Sequence, residues 1–340
     1  MASESRELVR GTLAFQGPQR VPRQAWVLPW AETHHPQALT ELRERFPDDI
    51  VSSPALYTVP TGTSGDRYTM GEYVDEWGCR FTNPRDGIIG IVLQPLISTW
   101  DDLDRFKTPD SVLKVDTEAV NRFCRSTDQY VLSGSVVRPF ERLQFIRTME
   151  QALIDLMEQP PGLLELLAGM HAHYKKEVEV WSMTEVDGIA LMDDWGTQTG
   201  LLLHPETFRQ IFKPMYRDYA EIARRYGKQV FMHSDGHITE IIEDLIEVGI
   251  EVLNAQIFCM GVEELGRRFK GRITFWGEID RQHLLVHGTR QDIEDAVRTV
   301  RGNLYADGGV IAQCEFGLEA DPENVMAVFE TWDRLDRPEG

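Results

Sequence analysis

Cysteine is scarce in this chain. Cys79, Cys124, Cys259 and Cys314 stand far apart, without the close pairing that a zinc ribbon or a thioredoxin-like redox loop needs. Scattered thiols of this kind suit a reducing compartment, and a cytoplasmic protein is expected. Long apolar runs are missing too. None approaches the roughly 20 residues of a membrane span, and the opening MASESRELVRGTLAF carries charges where a secretory signal needs an uninterrupted apolar core. Basic residues are in the minority, 35 Lys and Arg against 55 Asp and Glu, a net charge of −20. That balance speaks against non-specific binding to nucleic acid or to an anionic membrane. Also absent are a GxGxxG fingerprint after the first strand, a GxxxxGK[ST] loop and a GxSxG elbow, so nucleotide-fold and serine-hydrolase readings lose their usual support.

What is present is the composition of one sizeable globular body: 340 residues, 42% of them hydrophobic, with 27 Gly and 17 Pro. Short apolar runs near residues 21, 50, 130, 190, 230, 251, 274 and 310 read as strands, and most are separated by stretches of helical period. The helical stretches include 36–46, two helices in 140–181 broken near Pro160 and Pro161, 204–225 bent at Pro214, 262–268 and 290–305. Parallel strands alternating with helices favour an α/β protein, and eight of them close their edges as a (β/α)8 TIM barrel. An open doubly wound sheet is the alternative. Between the second and third strands the chain makes a long excursion, rich in turn signals such as GTSGD and NPRDG. The whole of 1–340 is therefore read as a single barrel domain with a hairpin-rich insertion around 60–100.

In such a barrel the strand ends deliver side chains to one mouth. The densest chemistry lies in 229-QVFMHSDGH-237, where His233 ends an apolar strand and Gly236 lets the next turn approach a ligand closely. In 188-GIALMDDW-195 the adjacent Asp193 and Asp194 point opposite ways if the strand continues through them; Asp193 is taken as the pocket carboxylate and Asp194 as a secondary substrate contact. Asn254 and Gln256 end the next strand with neutral amides that orient a substrate. Trp276 and Glu278 follow in 275-FWGEID-280, and Gln313, Cys314 and Glu315 close the last strand. The expected catalytic groups are Asp193, His233 and Glu278. Asp194, Trp195, Asn254, Gln256, Phe258, Trp276 and Gln313 are the expected substrate contacts. His233, Cys314 and a carboxylate, Asp235, Glu278 or Glu315, make a three-ligand zinc site with a fourth position open to substrate. Cys259 is an alternative sulfur.

The blocks DGIALMDDWGTQTGLLLHPETFRQIFKPMY, KQVFMHSDG, IEVLNAQ, RITFWGEIDRQ and DPENV resemble the uroporphyrinogen decarboxylase superfamily, including its corrinoid-associated methyltransferases. The resemblance covers much of 185–330 and is looser before residue 180. It implies a (β/α)8 barrel and either decarboxylation or methyl transfer through a corrinoid. The decarboxylases carry an early PxWxMRQAGR block, of which Arg23-Gln24-Ala25 is a partial echo, and a histidine near the last strand end, where Phe316 stands here. The methyltransferases hold zinc with a His-x-Cys and a distant Cys. His233 matches that histidine, Asp235 stands at the first cysteine position, and Cys314 lies near the second. The resemblance thus implies metal-assisted methyl transfer involving a small methylated substrate, with cobalamin carried by a partner corrinoid protein. Decarboxylation of a small carboxylated substrate and a non-enzymatic metabolite-binding subunit are the alternatives, and a homo-oligomer is left open.

Overall fold

The computed structural model describes residues 4–336. In chain order its strands are β1 (Arg23–Val27), β2 (Ile50–Ser52), β3 (Gly71–Val74), β4 (Arg80–Asn83), β5 (Ile91–Val92), β6 (Tyr130–Leu132), β7 (Gly188–Met192), β8 (Gln229–Ser234), β9 (Val252–Ala255), β10 (Thr274–Trp276) and β11 (Val310–Phe316). Eight of them form one sheet in the order β1-β11-β10-β9-β8-β7-β6-β2, every pairing parallel. That is chain order run once around a ring. The seam between β1 and β2 is bridged by single bonds: the Asp49 amide donates to the Arg23 carbonyl at 2.8 Å, the Gln24 side chain to the Ile50 carbonyl at 3.1 Å, and the Ala25 amide to the Asp48 carboxylate at 2.7 Å. The architecture is a nearly closed (β/α)8 barrel, as the strand count anticipates.

The excursion holds the antiparallel sheet β3-β4-β5, inserted between β2 and β6. The helical expectations hold in outline. Pro36–Arg45, Val262–Phe269 and Arg290–Leu304 are helices, and Pro161 opens Pro161–Ser182 at a first-turn position where its missing N–H is no loss. One break was not legible in the composition. Thr148, at φ 69°, divides Pro139–Arg147 from Met149–Glu158 and caps the second helix with its own side chain. The Pro214 bend is instead a π turn over Phe208–Phe212 that runs into Lys213–Arg225.

Two apolar clusters follow from the two faces of the strands. The inner one fills the barrel with Ile50, Tyr130, Leu132, Phe231, Val252, Trp276 and Ile311, joined by Val9 of the helix Glu4–Leu13. The larger outer one packs the opposite strand faces against the helices. No helix among the described residues is long and apolar enough to cross a membrane.

Candidate metal centre and active site

The parity of each strand decides which polar groups reach the mouth. On β8, Phe231 faces the barrel interior, so His233 and Asp235 follow on the same side. Val252 does the same for Asn254 and Gln256 after β9, and Ile311 for Gln313 and Glu315 on β11. On β7, Ile189 and Leu191 belong to the outer cluster. Asp193 continues that outward row, and Asp194 is left to turn inward.

Three of these groups meet. One donor atom from each of Asp194, His233 and Asp235 lies within 4.8 Å of the others. His233 Nε2 is 3.5 Å from Asp194 Oδ1 and 3.5 Å from Asp235 Oδ1. The Asp235 amide donates to Asp194 Oδ1 at 2.9 Å, which ties the two loops together. The loops approach so closely because of two glycines. A Cβ on Gly236, whose φ is +81°, would stand 2.2 Å from the Gly196 carbonyl carbon, and one on Gly196 would stand 2.5 Å from the His237 amide. Gly236 therefore serves loop-to-loop contact here.

The imidazole is held from behind. His233 Nδ1 is 2.5 Å from Asn254 Oδ1, while the Asn254 amide nitrogen donates to the Trp276 carbonyl. With its nitrogen so engaged, Asn254 offers only oxygen, so Nδ1 of a neutral His233 carries the hydrogen and Nε2 turns its lone pair toward the two carboxylates. This is the tautomer of a metal-ligating histidine with an outer hydrogen-bond partner. Asp235 Oδ1 is buried and has no hydrogen-bond partner among the described residues, a further sign of a donor set built around a cation.

Around the triad the charge is dense. Arg281 reaches Asp235 at 2.5 Å, Glu315 at 2.9 Å and Glu278 at 3.8 Å. Glu278 is 2% exposed, and burial, assisted by Asp235 and Glu315 and opposed by Arg281, pushes its carboxyl up to about 8. Burial also raises Glu315, and it pushes Glu141 up to about 7 with Asp194 adding to the effect. Both polar side-chain atoms of Gln313, Glu278 Oε2 and Trp276 Nε1 are buried without hydrogen-bond partners among the described residues. Trp26 and Trp276, in edge-to-face contact at 5.1 Å, form the floor, with Trp26 5.1 Å from the His233 ring. A cleft of about 300 Å3 opens beside this group, lined in part by Gln256, Phe258, Glu278 and Arg281.

Three expected site residues are not brought to the mouth. Asp193 is fully buried, and its carboxylate accepts the Phe140 amide at 3.0 Å, the Glu141 amide at 2.7 Å and the Tyr216 hydroxyl at 2.5 Å. It anchors the first turn of Pro139–Arg147, and the expected order of the two aspartates is reversed. Trp195 is fully buried and stacks on Phe140 at 4.2 Å, with its indole N–H on the Tyr216 hydroxyl at 3.1 Å; it is a packing residue behind the barrel wall. Cys314 belongs to the outer cluster and pairs with Ala25 of β1. One residue of parity separates it from Gln313 and Glu315, so the third donor at the triad is Asp194 instead. Burial raises the Cys314 thiol, as for an inert core cysteine. Cys259 lies in the wall of the cleft, with its thiol on the Gln256 carbonyl at 3.0 Å.

The sequence reading passed over Trp26, Arg281 and Glu141. Trp26 had a usable signal, two residues after Gln24 on an inward-facing strand. Arg281 and Glu141 sit beyond strand ends, where no periodicity fixes direction.

A methyltransferase from Methanosarcina mazei superposes with a TM-score of 0.73 at 16% identity, covering 99% of this chain and 100% of that one. A B12-independent methionine synthase from Shewanella sp. W3-18-1 gives 0.45 at 11% identity, over 90% of this chain and 86% of that one. At 16% identity the likeness to the first concerns the fold alone. No curated protein matches the sequence. Residues 74–335 match the family described as uroporphyrinogen decarboxylase (URO-D), a span that takes in β4 and β5 of the insertion, the triad and the last strand; the chain belongs to the URO-D family.

Proposed function

We propose that this protein is a metal-assisted, corrinoid-dependent methyltransferase acting on a small methylated substrate. The observation that carries the reading is the convergence of Asp194, His233 and Asp235, with the His233 lone pair aimed between two carboxylates. One nitrogen and two oxygens suit a divalent ion, and zinc is the ion this reading takes. The set lacks a thiolate and is harder than a cysteine-rich zinc site, which favours an oxygen-bearing substrate over a thiol. When bound, the ion supplies Lewis-acid polarisation of a substrate heteroatom, and cobalamin on a partner protein supplies the methyl-carrying chemistry.

The remaining steps belong to the chain itself. Asn254 keeps His233 in the ligating tautomer. Gln256 accepts the Gly236 amide at 3.2 Å and the Gln198 side chain at 3.3 Å, which fixes the loop after β8. Glu278, raised to about 8, holds its proton near neutral pH and donates it to the substrate atom that loses the methyl group. Gln313, with both polar atoms unpartnered, takes up a polar substituent of the substrate.

Incubation with a substrate carrying an isotopically labelled methyl group, together with reduced cobalamin and zinc, tests the reading. Label appearing on cobalamin in a protein-dependent manner is the expected result. The buried acid Glu278 also suits a second reading, decarboxylation with Glu278 protonating the carbanion. Loss of carbon dioxide without any need for cobalamin would favour that reading, and tight binding with no turnover would favour a metabolite-binding subunit.

A further inference from the structure

A second cavity, of about 420 Å3, lies where the insertion meets the barrel mouth, and Asp194 forms part of its wall. Its carboxylates are Asp75, Glu76, Glu141, Glu177 and Asp194, set against the guanidinium groups of Arg67, Arg138 and Arg142. Arg142 is committed to Asp75, which it contacts, and to Glu76 at 3.6 Å. Arg138 faces Glu141 at 3.6 Å, and the exposed Arg67 lies over the ring of Tyr68. Asp194 belongs to the triad. Glu177 is the carboxylate left over.

Glu177 is 6% exposed. No hydrogen bond from the described residues reaches its carboxylate, and its nearest basic atom is His173 Nε2 at 3.6 Å. Beside it the Tyr174 hydroxyl, on a residue 1% exposed, meets no hydrogen-bond partner at good geometry among the described residues, with the Arg142 guanidinium close by. Glu177 thus turns toward the cavity a carboxylate that no arginine among the described residues meets at ion-pair distance, where a cation from outside the chain can pair with it. Tyr57 and Tyr73 share the same wall. Burial, with Glu76 and Glu177 close by, pushes the Tyr57 hydroxyl up to about 12, so it adds a neutral ring and no further charge. Aromatic rings beside a buried carboxylate are the chemistry that holds alkylated ammonium groups.

We propose that this cavity binds the cationic head of a small methylated ammonium compound, with Glu177 as its counter-ion and the rings of Tyr57 and Tyr73 against its methyl groups. The proposal deepens the methyl-transfer reading by naming the class of methyl donor and rests on that reading for the fate of the methyl group: a quaternary nitrogen has no lone pair for a metal, so the triad would meet an oxygen substituent of the donor, and loss of the methyl group to cobalt(I) would leave a neutral tertiary amine. The binding step stands apart from it.

Titration calorimetry of the full chain with choline, and with its uncharged carbon isostere 3,3-dimethylbutan-1-ol, tests the proposal. Choline is expected to bind at least about tenfold more tightly than the alcohol. Glu177→Gln removes that preference and leaves the affinity for the alcohol unchanged. Equal affinities, absence of choline binding, or a Glu177→Gln chain that keeps the full preference overturns the proposal. If the variant does not melt like the wild type, the choline-to-alcohol comparison on the wild-type chain decides alone. Choline that binds without giving up a methyl group to reduced cobalamin counts against the methyl-transfer reading and leaves the cavity assignment standing. Methyl transfer from a neutral methyl ether, with choline unbound, does the reverse.

Discussion

His233 and Asn254 are register partners across β8 and β9, and their side chains meet at 2.5 Å, Nδ1 to Oδ1. The contact binds the sheet to the chemistry, because the same pairing that closes the barrel also fixes which imidazole nitrogen is free.

Asn254→Ala removes the acceptor at Nδ1 and frees the ring to rotate and change tautomer. The expected loss is about 10–100-fold in divalent-metal affinity, with the far-ultraviolet circular dichroism unchanged. Metal titration followed by calorimetry measures it.

Asp193 and Asp194 separate stability from chemistry at adjacent positions. Asp193→Ala strands two backbone amides and the Tyr216 hydroxyl, and should cost on the order of 3 kcal/mol in urea unfolding. Asp194→Asn, on a side chain 38% exposed, should change unfolding by less than about 1 kcal/mol and abolish metal binding. The opposite pattern would return the catalytic role to Asp193.

Cys314→Ala probes the same parity on β11. The thiol is fully buried in the outer cluster, so a loss of about 1 kcal/mol in stability is expected. Metal content should be unchanged. A drop in bound metal would restore a sulfur ligand to the site.

These contrasts show what was legible in the sequence. The eight strands and the long excursion were readable because short apolar runs between helical stretches leave few ways to close a sheet. His233, Asp235, Asn254 and Gln313 were readable as strand-end polar groups. Asp193, Trp195 and Cys314 were misplaced for a common reason: each lies one residue out of step with the inward row, and a strand end read without its parity gives either face. The antiparallel order of β3, β4 and β5, and the aim of Arg281 and Glu141, depend on tertiary contacts that no local pattern carries.

Asp48 gives a pH-dependent test of the barrel seam. Burial, countered by the Ala25 amide and reinforced by neighbouring Asp49, pushes its carboxyl up to about 6. The folded state therefore holds the Asp48 proton more tightly than the unfolded chain, whose carboxyl titrates near 3.9. This contribution to stability is complete below about pH 4 and is lost as the pH rises through about 6. Asp48→Asn keeps an acceptor for Ala25 without the charge. The variant should gain on the order of 2 kcal/mol over wild type at pH 8 and nothing at pH 4, as read from urea midpoints at the two pH values.

The central claim is that Asp194, His233 and Asp235 together hold a divalent ion, and the metal content of the purified chain after zinc reconstitution and dialysis tests it most directly. The account predicts one zinc per wild-type chain and none in a folded His233→Ala chain. A wild-type chain that retains no metal, or a His233→Ala chain that retains as much as the wild type, would contradict it.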